Sequence, residues 1–286
     1  MCGYYSGIIY SIIKREETMT TLEYANYFVE EEYVTTNQGE RVQIFHLMPK
    51  DEEEALIEWA RNLRRNYVDD QVMEEMASSL GVGHEEYLKT YKFPDPLDKW
   101  GKNVMIGDFS EILVADYLQY VLDFVVPRTR YNSKINRNRS TQGSDLIAYN
   151  VANSDEWNPK DELFVFEVKA QSTEAKAQAR LQEAVEHSSK DITRLAESLV
   201  ASAEILTRIR KPDQAKVVQR FLNGTDRPYI TRYAAAAVHS TSSFSRDLIK
   251  QLDTSQHPSK EVQLMVVHCE RLMEFINNMY ERASKC

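Results

Sequence analysis

Residues that build cross-linked or repetitive proteins are scarce in this chain. Its only cysteines among 286 residues are Cys2, Cys269 and Cys286. With no C-x-x-C or C-x-x-H pair, they make neither a disulfide framework nor a zinc motif, and the expected setting is a reducing cytoplasm. Nine glycines and eight prolines exclude collagen-like and proline-rich disordered chains. Long apolar runs are also missing. The N-terminal segment reaches only Ile8-Ile9-Tyr10 before Ser11 interrupts it. No basic stretch precedes that run and no small-residue cleavage site follows it, so neither a signal peptide nor a membrane span is expected. Met19 opens a second, more ordinary start, and residues 1–18 read as a candidate upstream extension. No G-x-x-x-x-G-K-[ST] loop is present, so energy-driven movement on a polymer would have to come from another subunit. The absence of G-x-S-x-G removes the serine-hydrolase elbow.

What remains has the balance of a globular protein, 42% hydrophobic and 28% charged. The net charge of −9 argues at first against a nucleic-acid partner. Its distribution changes that reading. Residues 1–100 hold ten Lys/Arg against twenty Asp/Glu, whereas residues 101–286 hold 25 against 24. Phosphate binding depends on local patches, and the later part of the chain is free of the acid burden.

Short strands and turns are expected over residues 20–48, with Arg41–Leu47 as a strand after the turn Asn37-Gln-Gly39. A helix capped by Asp51 follows, carrying Glu52, Glu53 and Glu54 in its first turn and Leu56, Ile57, Ala60 and Leu63 at helical spacing. Further short helices are read through Val72–Met76, ending at Gly81, and from His84 to Tyr91. Pro94 and Pro96 suggest a division into residues 1–96, an acidic α+β region suited to a partner or to regulation, and residues 97–286. After it, Met105, Phe109, Ile112, Leu113, Tyr117 and Tyr120 recur at steps of three and four, predicting an amphipathic helix to about Asp123. Strands are then predicted at Phe124–Val126, Asp145–Tyr149 and Leu163–Lys169. Helices are predicted over Glu174–Val185, Lys190–Ile209 and Gln214–Leu222. Two more strands, Pro228–Val238 and Val262–Val267, precede a last helix from Glu270 to about Arg282.

Ionisable residues fall at telling positions on these elements. Strand alternation puts Glu167 and Lys169 on one face with Leu163 and Val165, while Phe164, Phe166 and Val168 fill the other. A strand apolar on both faces is central and buried. A carboxylate and an ammonium at its end are costly unless they pair or bind a cation. A hairpin from Asp145–Tyr149 would set Asp145 beside Glu167, and two carboxylates converging there make a hard-oxygen site for Mg²⁺. Lys169 could orient or help deprotonate a water and offset charge on a phosphate. Glu111 is flanked one turn away by the small residues Gly107 and Ala115, which would let its helix approach closely; a surface glutamate is the equal alternative. The run Arg128, Arg130, Lys134, Arg137 and Arg139, interleaved with Asn and Ser, suits phosphate contacts, though a solvated loop is the commoner meaning of such a run. A second E-x-K, Glu174-Ala-Lys176, reads as a solvated helix surface. The six histidines (His46, His84, His187, His239, His257 and His268) show no i, i+3 or i, i+4 pair, which argues against a zinc site made of histidine alone. His239 and His268 end strands and read as structural.

The order helix-Glu, strand-Asp, strand-E-x-K resembles the PD-(D/E)xK nucleases. It is carried by Gly107-Asp-Phe-Ser-Glu111, Gly143-Ser-Asp145 and Phe166-Glu167-Val-Lys169-Ala-Gln171. Over roughly residues 101–185 the chain resembles more closely the HamA family, the nuclease subunits of the Hachiman anti-phage defence system. The resemblance implies an α/β restriction-endonuclease-like fold, a mixed sheet flanked by helices. It also implies a Mg²⁺-dependent deoxyribonuclease, with Mn²⁺ substituting, held by a helicase partner resembling HamB. Carried over, Asp145, Glu167 and Glu111 would ligate the metal, Lys169 would act on the water, and Gln171 would be a polar active-site residue. The Q-x-x-x-Y helix of some relatives is not reproduced, since neither Gln178 nor Gln182 has Tyr four residues on. The competing expectations are a stand-alone restriction or repair nuclease and a catalytically silent DNA-binding assembly subunit.

Overall fold

The computed structural model describes residues 22–153 and 156–286. The candidate upstream extension, residues 1–18, lies outside the described residues. Six strands form one mixed sheet: β1 (Phe28–Thr35), β2 (Arg41–Leu47), β3 (Leu146–Asn150), β4 (Glu162–Gln171), β5 (Ile230–Ser240) and β6 (Val262–Cys269), in the spatial order β1-β2-β6-β5-β4-β3. The four central strands run parallel, and the hairpin partners β1 and β3 are antiparallel at the two edges. The parallel strands are apolar on both faces, as strands covered by helices must be: Ala234 to Val238 of β5 are all buried.

The face formed by Phe164, Phe166, Val168, Ala236 and Val267 packs under α1 (Glu53–Tyr67), α4 (Lys99–Asp116) and α8 (Leu272–Ser284). The opposite face is covered by α5 (Arg180–Arg208), with α6 (Pro212–Arg220) and α7 (Arg246–Lys250) at its ends. The smaller α2 (Asp70–Leu80) and α3 (His84–Tyr87) connect α1 to α4. Gly81 ends α2 in the left-handed conformation at φ 69°, which accepts glycine without a Cβ clash. The residue-96 boundary falls on the connection into α4. Trp59 and Leu63 from before it share one apolar cluster with Phe109, Ile112 and Ile276 from after it, and β1 and β2 complete the sheet that β3–β6 begin.

Several local expectations are corrected. Asp51 does not cap α1; Glu52 stands at that position without a side-chain bond to the helix, and its carboxylate takes the Tyr27 hydroxyl at 2.9 Å. The α4 helix is not amphipathic, because residues 108–118 are buried without a break between the sheet, α1 and α8. Phe124–Val126 makes a single antiparallel bridge, Val125 to Tyr149, in place of a strand. The helices read over Glu174–Val185 and Lys190–Ile209 are one helix of 29 residues, α5, beginning at Arg180. Glu174 and Lys176 precede it on an exposed loop.

Candidate active site

The antiparallel register of β3 on β4 pairs Leu146 with Phe166, which sets Asp145 against Glu167 one step further on. Asp145 Oδ2 accepts the Val168 backbone N–H at 3.0 Å. The two carboxylates therefore share the α5 side of the sheet, as the hairpin reading requires. The chain enters β3 through Gly143 at φ 92°, where a Cβ would lie 2.9 Å from Ser198 Oγ. The Ser198 hydroxyl takes the Ser144 N–H at 3.1 Å, which ties the turn before Asp145 to α5. Lys169, two residues along β4, bonds Glu167 Oε1 directly.

Glu111 arrives from the other layer, on α4. It is buried, with Oε2 accepting the Tyr131 hydroxyl at 2.6 Å. The residue joining the layers is Arg130, whose guanidinium makes ion pairs at 2.9 Å to Glu111 and 2.8 Å to Asp145 and bonds the Ser144 carbonyl. All five residues line one cleft of about 780 Å³. Gly107 also lines it, but does not act as expected. A Cβ there would meet nothing within 4 Å, so its small size opens the cleft instead of admitting the helix to the sheet.

The long α5 supplies groups that sequence reasoning missed. His187 Nδ1 lies 3.5 Å from Glu167 Oε1, and Arg194 Nη2 lies 3.9 Å from Glu167 Oε2 while donating to buried Asp191 at 2.8 Å. Residues 187, 191 and 194 occupy one helical face. Expecting two helices, Glu174–Val185 and Lys190–Ile209, leaves residue 187 in the gap between them and hides that face.

The remaining expected site residues have partners of their own, Gln171 at the margin of the same cleft. The Gln171 amide is taken up by loop backbone, donating to the Lys176 carbonyl at 3.0 Å and accepting the Gln178 N–H at 2.9 Å. Gln171 thus holds the loop that borders the cleft. Arg128 pairs with Asp116, Lys134 with Asp108, and Arg137 with Asp95. Of the five cations only Arg139 is exposed. The basic run is mainly an internal brace.

Burial, followed by repulsion from Asp145, pushes the Glu167 carboxyl up to about 7. Burial lifts Glu111 to about 8, against the opposing pull of Arg130. The ordinary value is 4.5, so between that pH and about 8 the folded chain keeps protons that the unfolded chain has lost. In EDTA, thermal stability should therefore fall as pH rises through this window. Glu167→Gln should flatten the fall, and melts of the two proteins with identical pH slopes would contradict it.

Carboxylates crowded in a buried cleft are the hard-oxygen donors that a divalent cation suits. Asp145 and Glu167 could hold one, with Glu111, paired with Arg130, as a third donor. An Asp and an E-x-K on adjacent strands, with a helical Glu in a mixed α/β sheet, have the layout of the PD-(D/E)xK class. The chain belongs to the HamA family, whose model matches residues 23–283, and so to the Hachiman defence proteins. No curated protein matches the chain. Among the described residues, no helix is long and apolar enough to cross a membrane.

Proposed function

We propose that this protein is a divalent-metal-dependent deoxyribonuclease acting in anti-phage defence with a helicase subunit resembling HamB. The observation that carries the reading is the β3–β4 register, which presents Asp145, Glu167 and Lys169 together in a cleft that also holds Glu111. Mg²⁺ bound by these acids would supply Lewis-acid stabilisation of the scissile phosphate and lower the pKa of water beside it. The chain's own part is distinct. The Lys169 ammonium stands where it can meet a phosphate oxygen and orient the attacking water. Arg194 presents a cation on the α5 wall of the cleft, near Glu167, while burial and the neighbouring Lys169 disfavour a charged His187. Arg130, paired with Glu111 and Asp145, would have to release at least one of them for both to reach a cation.

Control by a partner fits the charge distribution. Asp51 to Glu54 are all exposed, an acidic patch that repels DNA and suits a basic protein surface. The test is cleavage of supercoiled plasmid by the purified chain, alone and co-purified with the product of the neighbouring helicase-like gene. Mg²⁺, Mn²⁺ and EDTA would be compared. Metal-dependent nicking that the partner suppresses until DNA is engaged is expected. No cleavage with either metal, alone or with the partner, would overturn the nuclease reading. Full cleavage unaffected by the partner would overturn only the control.

A further inference from the structure

At the edge of the sheet remote from β3, a second group of ligand-type side chains converges. β2 and β6 are parallel with His46 directly opposite His268, so the two imidazoles stand side by side, ring centroids 4.4 Å apart. Both continue the apolar rows Val42-Ile44 and Leu264-Val266 that α5 and α7 cover. Glu31 reaches in from β1, its Oε1 lying 3.3 Å from His268 Nε2 and 3.8 Å from His46 Nδ1. Among the described residues this is the one trio of His, Cys, Asp or Glu whose ligand atoms all lie within 4.8 Å of one another.

The surroundings hold the trio in place. His268 Nδ1 is 3.1 Å from the Thr241 hydroxyl, and Phe244 stacks on the ring at 4.5 Å. Arg246 donates to the other Glu31 oxygen at 2.7 Å, leaving Oε1 turned toward the histidines. His268 is only 3% exposed, yet its Nε2 has no hydrogen-bond partner. That nitrogen faces a carboxylate oxygen 3.3 Å away without a hydrogen bond, a spacing that a cation between them would fill.

We infer that Glu31, His46 and His268 form a Zn²⁺ site that fastens the N-terminal hairpin to β6. Two imidazoles and a carboxylate are a known zinc donor set, and bonds of about 2.0–2.1 Å in a tetrahedron separate ligand atoms by about 3.3–3.4 Å. The observed 3.3 Å matches that edge, and the 3.8 Å to His46 needs only a small closure. Thr241 and Arg246 act as the outer partners that fix ligand orientation in such sites. Water can fill the fourth position from the partly exposed Glu31 side. Local spacing could not reveal the site, because its ligands come from three strands.

The test uses the full chain without a histidine tag, stripped with chelator and titrated with Zn²⁺ by calorimetry and elemental analysis. Substitution by Co²⁺ should give the visible absorption of a tetrahedral ion. At least one equivalent of Zn²⁺ and a raised melting temperature are expected. Glu31→Gln and His46→Gln should weaken uptake at least about tenfold, while melting like the parent in EDTA. The tetrahedral Co²⁺ absorption should persist in Glu167→Gln, whatever metal the cleft at the other edge takes up, and should be lost in the trio variants, which separates this site from the nuclease reading. No uptake by the parent, or equal uptake by parent and both trio variants, would overturn the assignment.

Discussion

Glu167→Gln is expected to lower metal-dependent DNA cleavage by about 100-fold or more while the protein stays folded. Glutamine keeps the shape but cannot supply the anionic oxygen that holds a divalent cation, and the loss of transition-state charge stabilisation at one such position costs on this scale. In chelator the variant should melt no lower than the parent, because the parent carboxylate is buried beside Asp145 and driven toward its neutral form. Lys169→Met should lower cleavage by a similar factor by a different route. It removes the ammonium that faces the phosphate but leaves the donor oxygens in place. Its dependence on metal concentration should therefore stay near that of the parent, whereas Glu167→Gln should require much more metal. Cleavage by purified Glu167→Gln at the parental rate would remove this residue from the chemistry.

How much of this was legible in the sequence depends on the distance over which each signal acts. Strand alternation in Leu163–Lys169 was enough to place Glu167 and Lys169 together at the end of a central strand, and the short apolar run after Asp145 was enough to propose the hairpin. Both are nearest-neighbour properties of a sheet. Three features were not legible because they are set by tertiary contact. Glu174–Val185 and Lys190–Ile209 are expected as two helices, but Leu181, Ala184, Val185 and Leu199 bury their side chains against the sheet and carry α5 through as one. Gly107 looked like a packing residue because small residues near a glutamate suggest close approach, whereas its side faces the open cleft. His46 and His268 are far apart in sequence, and only the parallel pairing of β2 with β6 brings them together.

The basic run shows the same limit and gives the second large effect. Counting charges made Arg128 a phosphate contact, but its guanidinium is the counterion of Asp116, which is 1% exposed. Arg128 Nη2 donates to Asp116 Oδ1 at 2.7 Å and its Nε to Gln119 at 3.0 Å. Asp116 also accepts the Trp59 indole N–H at 3.2 Å and the Asn62 amide at 3.2 Å, so the end of α4 is bound to α1 through this one carboxylate. Burial already drives the Asp116 carboxyl upward, and the charge of Arg128 is the largest influence opposing it. Removing the arginine leaves a carboxylate sealed from water with neutral donors alone, a loss of about 3–5 kcal/mol for a broken buried pair. Arg128→Ala should thus lower unfolding free energy at neutral pH by about that amount in urea melts, with little change in DNA affinity measured well below the melting temperature. The double variant Arg128→Met with Asp116→Asn should regain much of the loss, because no uncompensated charge remains. An Arg128→Ala protein that melts like the parent and binds DNA more weakly would return this residue to the DNA surface.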